Sequence, residues 1–340
     1  MGAVGLTLVV SAALTLLLIH APPAWLRLLD HPNARSLHVT PVPRTGGLAV
    51  LGGLSVGLVG LVLSGLIPND QFPLLLTLLA AVLLVGGVAF VDDWRGLPRR
   101  YRLLAHLVAA LLLYHRGLVW DAWLPGTVLN LPTAVTLVLT VLFVVWMINL
   151  YNFMDGMDGL AASMAGFGFG ALAVLGWQGG ELWFGLFNAV IVAAALGFLV
   201  GNFPPARIFL GDVGASTFGL LAAAQSLWGV QLGLFPLWVA GLAFSPFIVD
   251  ATWTLIARAV RGERVWEAHR SHHYQRLVLS GWSHRRTLVR AWLPMAGASA
   301  CAIAAPQLAV IEQWWLIGAW VVIYGLIHLR IVHSTRTAHQ

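Results

Sequence analysis

Eleven apolar runs of sixteen to twenty-one residues follow one another along this chain, at about 3–20, 46–66, 73–91, 103–118, 132–149, 159–176, 182–201, 214–230, 237–256, 289–305 and 313–330. About twenty helical residues span the ~30 Å hydrocarbon core of a bilayer. Lipid offers no hydrogen bonds, so a crossing segment must satisfy its own backbone, which a helix does. The runs therefore predict an all-α polytopic membrane protein with about eleven transmembrane helices, ten being the alternative count. Only 9% of the 340 residues are charged and 59% are hydrophobic, against about 25% charged in a soluble domain. That leaves no room for a separate soluble module and excludes disorder, so 1–340 reads as a single integral-membrane domain. The first run lacks a basic start and reads as a retained helix, not a cleaved signal. A single cysteine, Cys301, excludes an intrachain disulfide and a cysteine metal site.

All nineteen basic residues are arginine. Placing the N-terminus outside puts eighteen of them on the inner side and one, Arg116, on the outer. The positive-inside rule then predicts an outer N-terminus and a cytoplasmic C-terminus. Arginine also grips phosphate through two parallel hydrogen bonds.

The polar motifs all fall at the inner ends of these runs. Between the fifth and sixth lie Asn149, Asn152, Asp155 and Asp158, three residues apart. In a regular helix that spacing drifts about 60° per step and covers half a turn, and Gly156 and Gly159 loosen the helix there. Ionisable groups at a membrane edge are costly and point to function, with helix capping as the plain alternative.

Asp92-Asp93 closes the third run, followed by Arg95, Arg99, Arg100 and Arg102. Adjacent carboxylates repel, so a cation or a proton role is implied. The first inner loop carries Arg35, His38 and Arg44 for phosphate, stiffened by three prolines. Asn202 opens a loop ending in Phe209-Leu210-Gly211-Asp212, where a carboxylate at a helix N-terminus suits magnesium and the exposed amides suit phosphate. Asp250 lies in the inner half of the ninth run, as a substrate ligand or an arginine partner. The longest inner loop holds His269, Arg270, His272 and His273. Its arginines favour anions over zinc, which wants Cys or carboxylate partners.

Taken together, Asp92-Asp93, the Asn149-x-x-Asn152-x-x-Asp155-x-x-Asp158-Gly159 string and Phe209-Leu210-Gly211-Asp212-x-Gly214 resemble the polyprenyl-phosphate N-acetylhexosamine-1-phosphate transferases. The resemblance runs from about 30 to 288. Arg35-Ser36-x-His38 and His269-Arg270-Ser271-His272-x-Tyr274-Gln275 are closest to the bacterial O-antigen-initiating branch. The triple-His-Phe-Glu pattern of the peptidoglycan branch is absent, and His106 stands where many relatives carry glutamine.

The resemblance implies transfer of an N-acetylamino-sugar 1-phosphate from a UDP-sugar to undecaprenyl phosphate at the cytoplasmic face of a bacterial inner membrane. It implies Mg2+, with Mn2+ as a substitute, on Asn152 and Asp212. It makes Asp92, Asp93, Asp155 and Asp158 the catalytic carboxylates, with Asp92 facing the lipid phosphate; the nearby Arg95 and Arg99 give Asp93 the task of holding an arginine. Substrate binding falls to Arg35, His38, Arg44, Asn149, Asn202, Asp250, His269, Arg270, His272 and His273. The partners are the two substrates and the bilayer, with no nucleic acid; a homodimer is left open. The alternatives are a peptidoglycan-precursor transferase and a secondary transporter. Transporters bind near the midplane and show internal repeats, whereas these carboxylates sit at one edge. A CDP-alcohol phosphotransferase is excluded because Leu160-Ala161-Ala162-Ser163 follows Asp158-Gly159.

Overall fold

The computed structural model describes residues 2–32, 36–121, 123–127, 131–264 and 269–337, with residues 336 and 337 as backbone alone. Arg35 lies outside the described residues. The chain is helical almost throughout. In order the helices are α1 (Gly2–His20), α2 (Gly46–Leu63), α3 (Phe72–Arg95), α4 (Arg99–His115), α5 (Thr133–Met154), α6 (Leu160–Gln178), α7 (Leu182–Asn202), α8 (Gly211–Gln231), α9 (Leu237–Ala243), α10 (Ser245–Val260), α11 (His273–Leu279), α12 (His284–Ala304) and α13 (Val310–Thr337). A two-residue antiparallel pair, β1 (Leu29–Asp30) and β2 (Val42–Pro43), closes the first loop.

Among the described residues nine helices are long and apolar enough to cross a membrane, and ten when α9 and α10 count as one broken span. Two departures from eleven continuous runs have local causes. The ninth run bends by 86° between α9 and α10. Pro246 sits in the first turn of α10, and a proline there has no amide to continue the preceding helix. The fourth run gives α4, whose 17 residues rise only about 26 Å, and three arginines occupy its first turn. Nevertheless α4 runs the full way beside α3. Arg102 near its start meets Asp92 at the end of α3, and Arg116 just past its end donates to Thr77 Oγ1 near the start of α3, at 2.9 Å.

The core is built around α8, which is buried almost end to end and touches α2, α3, α5 and α6. Small residues permit this. Gly219 on α8 sits against the α5 backbone at Met147 and Ile148, and Gly214 meets Gly47 at the start of α2. A belt of rings, Phe169, Phe218, Phe244, Phe247 and Tyr151, fills the space between α5, α6, α8 and α10. The outward faces of α1 and α13 are apolar and exposed, as lipid-facing surfaces are. The ends of α1, α3, α5, α7 and α10 and the starts of α2, α4, α6, α8 and α12 come together at one end of the bundle.

Candidate active site

That end holds a cavity of about 790 Å³. Its floor is the start of α8. Gly211 has φ +70°, and a Cβ there would run into the carbonyl oxygen of Arg44. Only glycine takes this conformation cheaply, and it lets the loop pass against the first-loop strap. The strap is zipped by backbone bonds from Phe209 to Pro43, Gly46 to Phe209 and Gly47 to Leu210, at 2.7, 2.9 and 2.7 Å. Asp212 follows in the first turn of α8, where the helix dipole favours negative charge.

Arg102 sits between two carboxylates: its Nη1 is 2.9 Å from Asp212 Oδ2 and 3.0 Å from Asp92 Oδ2. Arg44 pairs with Asp93 Oδ1 at 3.2 Å and also donates to the Asp93 carbonyl. The second Asp93 oxygen is buried and has no hydrogen-bond partner among the described residues. Asn152 is held to α8 by its Nδ2, which donates to Ser216 Oγ at 3.0 Å. Asp155, at the C-terminal end of α5, is half-buried. Burial lifts its carboxyl well above the usual range, and the charges of Asp212 and Asp93 push the same way.

Two of the expected site residues at the cavity edge are taken up by bonds to protein. Asn202 takes the Gly159 N–H on its oxygen and gives its amide to the Ile208 carbonyl, both at 2.8 Å. Asp158 accepts from the Ala206 N–H at 3.0 Å and lies 3.0 Å from His284 Nδ1 on α12. Together they fasten the loop after α7 to the start of α6. Asn149 donates back to the Val145 carbonyl and lines the cavity.

The opposite wall comes from the long loop and α11. His269, His272, Tyr274 and Gln275 line it. The His272 ring stacks on Tyr274, and His269 tilts against His272 at 4.8 Å. Tyr274 donates to the Phe153 carbonyl at 3.1 Å across the cleft. A Cβ on Gly156 would strike that hydroxyl. Burial lowers His269 to about 4, with the charges of His272 and Arg258 adding to the shift, so this wall is neutral at His269 at pH 7.

Of the residues expected from sequence, Asp93, Asn149, Asn152, Asp155, Asp158, Asn202, Asp212, His38, Arg44, His269 and His272 line the one cavity. Asp92, Asp250, Arg270 and His273 do not. Asp93 does hold an arginine, though it is Arg44 of the first loop and not a sequence neighbour, whereas Asp92 does not face the cavity. The Asp92 carboxylate turns back to accept the Leu97 N–H where the helix ends, and Asp93 faces the cavity. Asp250 and His273 stand behind the wall, bonded to each other, because the face of α10 that carries Asp250 turns toward α11. Arg270 is exposed.

The structure adds Arg99, Arg100, Arg102, His106, Tyr274 and His284 to the lining. The arginines stood out in the sequence only as flanking charge. His284 carried no signal, since its carboxylate partner lies over a hundred residues away.

The hard oxygens of Asp212, Asn152, Asp93 and Asp155 suit a divalent cation such as Mg2+, and the unpartnered Asp93 oxygen leaves donor capacity. Among the described residues no three His, Cys, Asp or Glu side chains form a ready cage. Magnesium takes one or two carboxylates and completes its shell with water and substrate phosphates.

Comparison with known proteins agrees with this arrangement. The model of glycosyl transferase family 4 matches residues 75–230, the stretch from α3 to α8 that carries most of the acidic cluster. The chain is 31% identical over 285 residues to the probable undecaprenyl-phosphate N-acetylglucosaminyl 1-phosphate transferase of Bacillus subtilis, covering 78% of this chain and 74% of that one. It is 32% identical over 269 residues to the phospho-N-acetylmuramoyl-pentapeptide-transferase of Shouchella clausii, covering 74% and 79%. It is 29% identical over 303 residues to the decaprenyl-phosphate N-acetylglucosaminephosphotransferase of Mycobacterium tuberculosis, covering 77% and 72%. With the acidic cluster gathered at one end of an apolar helical bundle, these matches make the chain a member of glycosyl transferase family 4, in the superfamily of polyprenyl-phosphate N-acetylhexosamine-1-phosphate transferases.

Proposed function

We propose that this protein moves an N-acetylamino-sugar 1-phosphate from a UDP-sugar to undecaprenyl phosphate, giving undecaprenyl-diphospho-sugar and UMP. The observation that carries this reading is the pairing of Arg102 with Asp212 and of Arg44 with Asp93 around one cavity at the end of the helical bundle. The eighteen-to-one arginine split supports a cytoplasmic position for that cavity in a bacterial inner membrane. The lipid phosphate would then reach it from the bilayer and the nucleotide from the cytoplasm.

In the transfer, an oxygen of the lipid phosphate attacks the sugar-bearing phosphorus. The bond from that phosphorus to the bridging oxygen breaks, and UMP leaves with the electron pair. The lipid phosphate is already mostly ionised at neutral pH, its second pKa being near 6. Alignment and charge therefore matter more than a dedicated base, which favours direct attack over a covalent aspartyl intermediate. Asn152 and Asp212 would hold Mg2+, with Asp93 and Asp155 nearby; the ion supplies charge neutralisation for the crowded phosphates. Arg44, Arg99, Arg100 and Arg102 on the cavity lining would neutralise phosphate oxygens. His269, His272 and Tyr274 form the donor-facing wall.

A role in starting O-antigen or a related surface polysaccharide fits the His269-Arg270-Ser271-His272 string. A second reading, transfer of phospho-N-acetylmuramoyl-pentapeptide, is supported by the relative at 32% identity. The test is a panel of UDP-amino sugars, including UDP-N-acetylmuramoyl-pentapeptide, incubated with the purified protein, undecaprenyl phosphate and Mg2+. Lipid products are weighed by mass spectrometry. A product from a simple amino sugar alone supports the first reading, one from the pentapeptide donor alone the second, and none from any donor refutes both.

A further inference from the structure

Asp250 is 8% exposed in the first half of α10, lies outside the cavity, and among the described residues its charged partners are histidines, not an arginine. A carboxylate inside a spanning helix is costly unless something occupies it. Its Oδ1 accepts the backbone N–H of His273 at 2.9 Å and the hydroxyl of Thr254 at 3.2 Å, and lies 2.8 Å from His273 Nδ1. The Nδ1 of His272, a residue of the cavity wall, is 3.6 Å away. The other His273 nitrogen, Nε2, is 2.8 Å from His328 Nδ1 on α13, and the His328 ring rests on Trp253 of α10 at 4.8 Å. One row of polar groups thus ties α10, α11 and α13 together directly behind the wall.

We propose that Asp250 is a positioning residue, which sets the donor-facing wall of the cleft through the two histidines and touches no substrate. The proposal rests on the sugar-1-phosphate-transfer reading given above. A carboxylate at Nδ1 fixes the proton there and leaves Nε2 to accept from His328, as a carboxylate behind a histidine does at other sites. The backbone bond pins the start of α11 in the same stroke. His272 is then held by its neighbour, by Gln275, whose Oε1 accepts the His272 N–H at 3.2 Å, and by the stack on Tyr274. Its ring is buried, 2% exposed, between these neighbours.

The experiment compares wild type, Asp250→Ala, Asp250→Asn, His272→Ala and the double variant Asp250→Ala with His272→Ala. KM is measured for both substrates, and hydrogen exchange is followed over 269–279. Losing bonds to a charged acceptor should raise the UDP-sugar KM of Asp250→Ala about tenfold. The lipid-phosphate KM should stay within about twofold, since charge-assisted bonds to the lipid phosphate are untouched. Asp250→Asn keeps an oxygen for His273 and should recover most of the loss. The double variant should be no worse than the poorer single, because both changes act through His272. Exchange over 273–279 should rise in Asp250→Ala. Additive losses, equal rises in both KM values, or unchanged exchange would overturn the proposal. Absence of any transfer by wild type, with exchange still rising in Asp250→Ala, would instead overturn the function reading and the donor role that depends on it.

Discussion

The guanidinium of Arg102 on α4 holds the Asp212 carboxylate on α8 at 2.9 Å. The same nitrogen reaches Asp92 at the end of α3, so one side chain joins three helices beside the cavity. Arg102→Gln keeps a donor but removes the charge. A charge-assisted bond is worth about 1.5–3 kcal/mol, so turnover should fall about 10- to 100-fold in a steady-state assay. A loss below about twofold would show that Arg102 only decorates the rim.

Asp93 and Asp92 should separate cleanly. Asp93 faces the cavity with one oxygen unpartnered, and Asp93→Asn should cut turnover strongly while the fold is kept. Asp92 receives the Leu97 N–H and Arg102. Asp92→Asn should mainly lower thermal stability, by about 1–2 kcal/mol for a weakened end cap, with a smaller loss of turnover. Thermal melts and kinetics of the two purified variants check this; the opposite ranking of turnover would contradict it.

Asp155 is held toward its neutral form by burial and by Asp212 and Asp93. Its folded pKa is raised, so above about pH 4 the folded chain keeps a proton that the unfolded chain gives up. Stability therefore falls as pH rises through that window. In metal-free buffer at pH 7.5, Asp155→Asn should melt above wild type while losing activity, a trade of stability for function. A lower melting temperature would mean that the carboxylate stabilises the fold.

Gly156 lies where any Cβ would meet the Tyr274 hydroxyl. Gly156→Ala should push α11 off the Phe153 carbonyl and raise the UDP-sugar KM about tenfold, the cost of one lost hydrogen bond and a displaced wall. The lipid-phosphate KM is the control, and an equal rise in both would place the damage elsewhere.

The apolar runs were legible because lipid dictates length and composition alike, and the helices follow them closely. The gathering of Asp93, Asn152, Asp155 and Asp212 was legible too, since strict alternation of crossings sends every second loop to one side. What sequence could not resolve was direction within a turn. Asp92 and Asp93 are adjacent, and the backbone at Gly96 and Leu97 decides which one turns inward. Asp250 and His273 were expected at the substrate because their residue types suit it, but their orientation depends on how α10 meets α11. The 86° break after Phe244 was hidden because Pro246 sits in a run that stays apolar on both sides. Arg102 and His284 were missed because their partners, Asp212 and Asp158, are remote in sequence.

The central claim is that this cavity joins a sugar 1-phosphate to a lipid phosphate. The most direct measurement is UMP released against lipid-linked sugar formed, by the purified protein with Mg2+, for wild type and Asp212→Asn. The account predicts one UMP per lipid product, strict dependence on added undecaprenyl phosphate, and loss of both signals in Asp212→Asn with the fold intact. UMP released without the lipid, or an Asp212→Asn variant turning over at the wild-type rate, would contradict it.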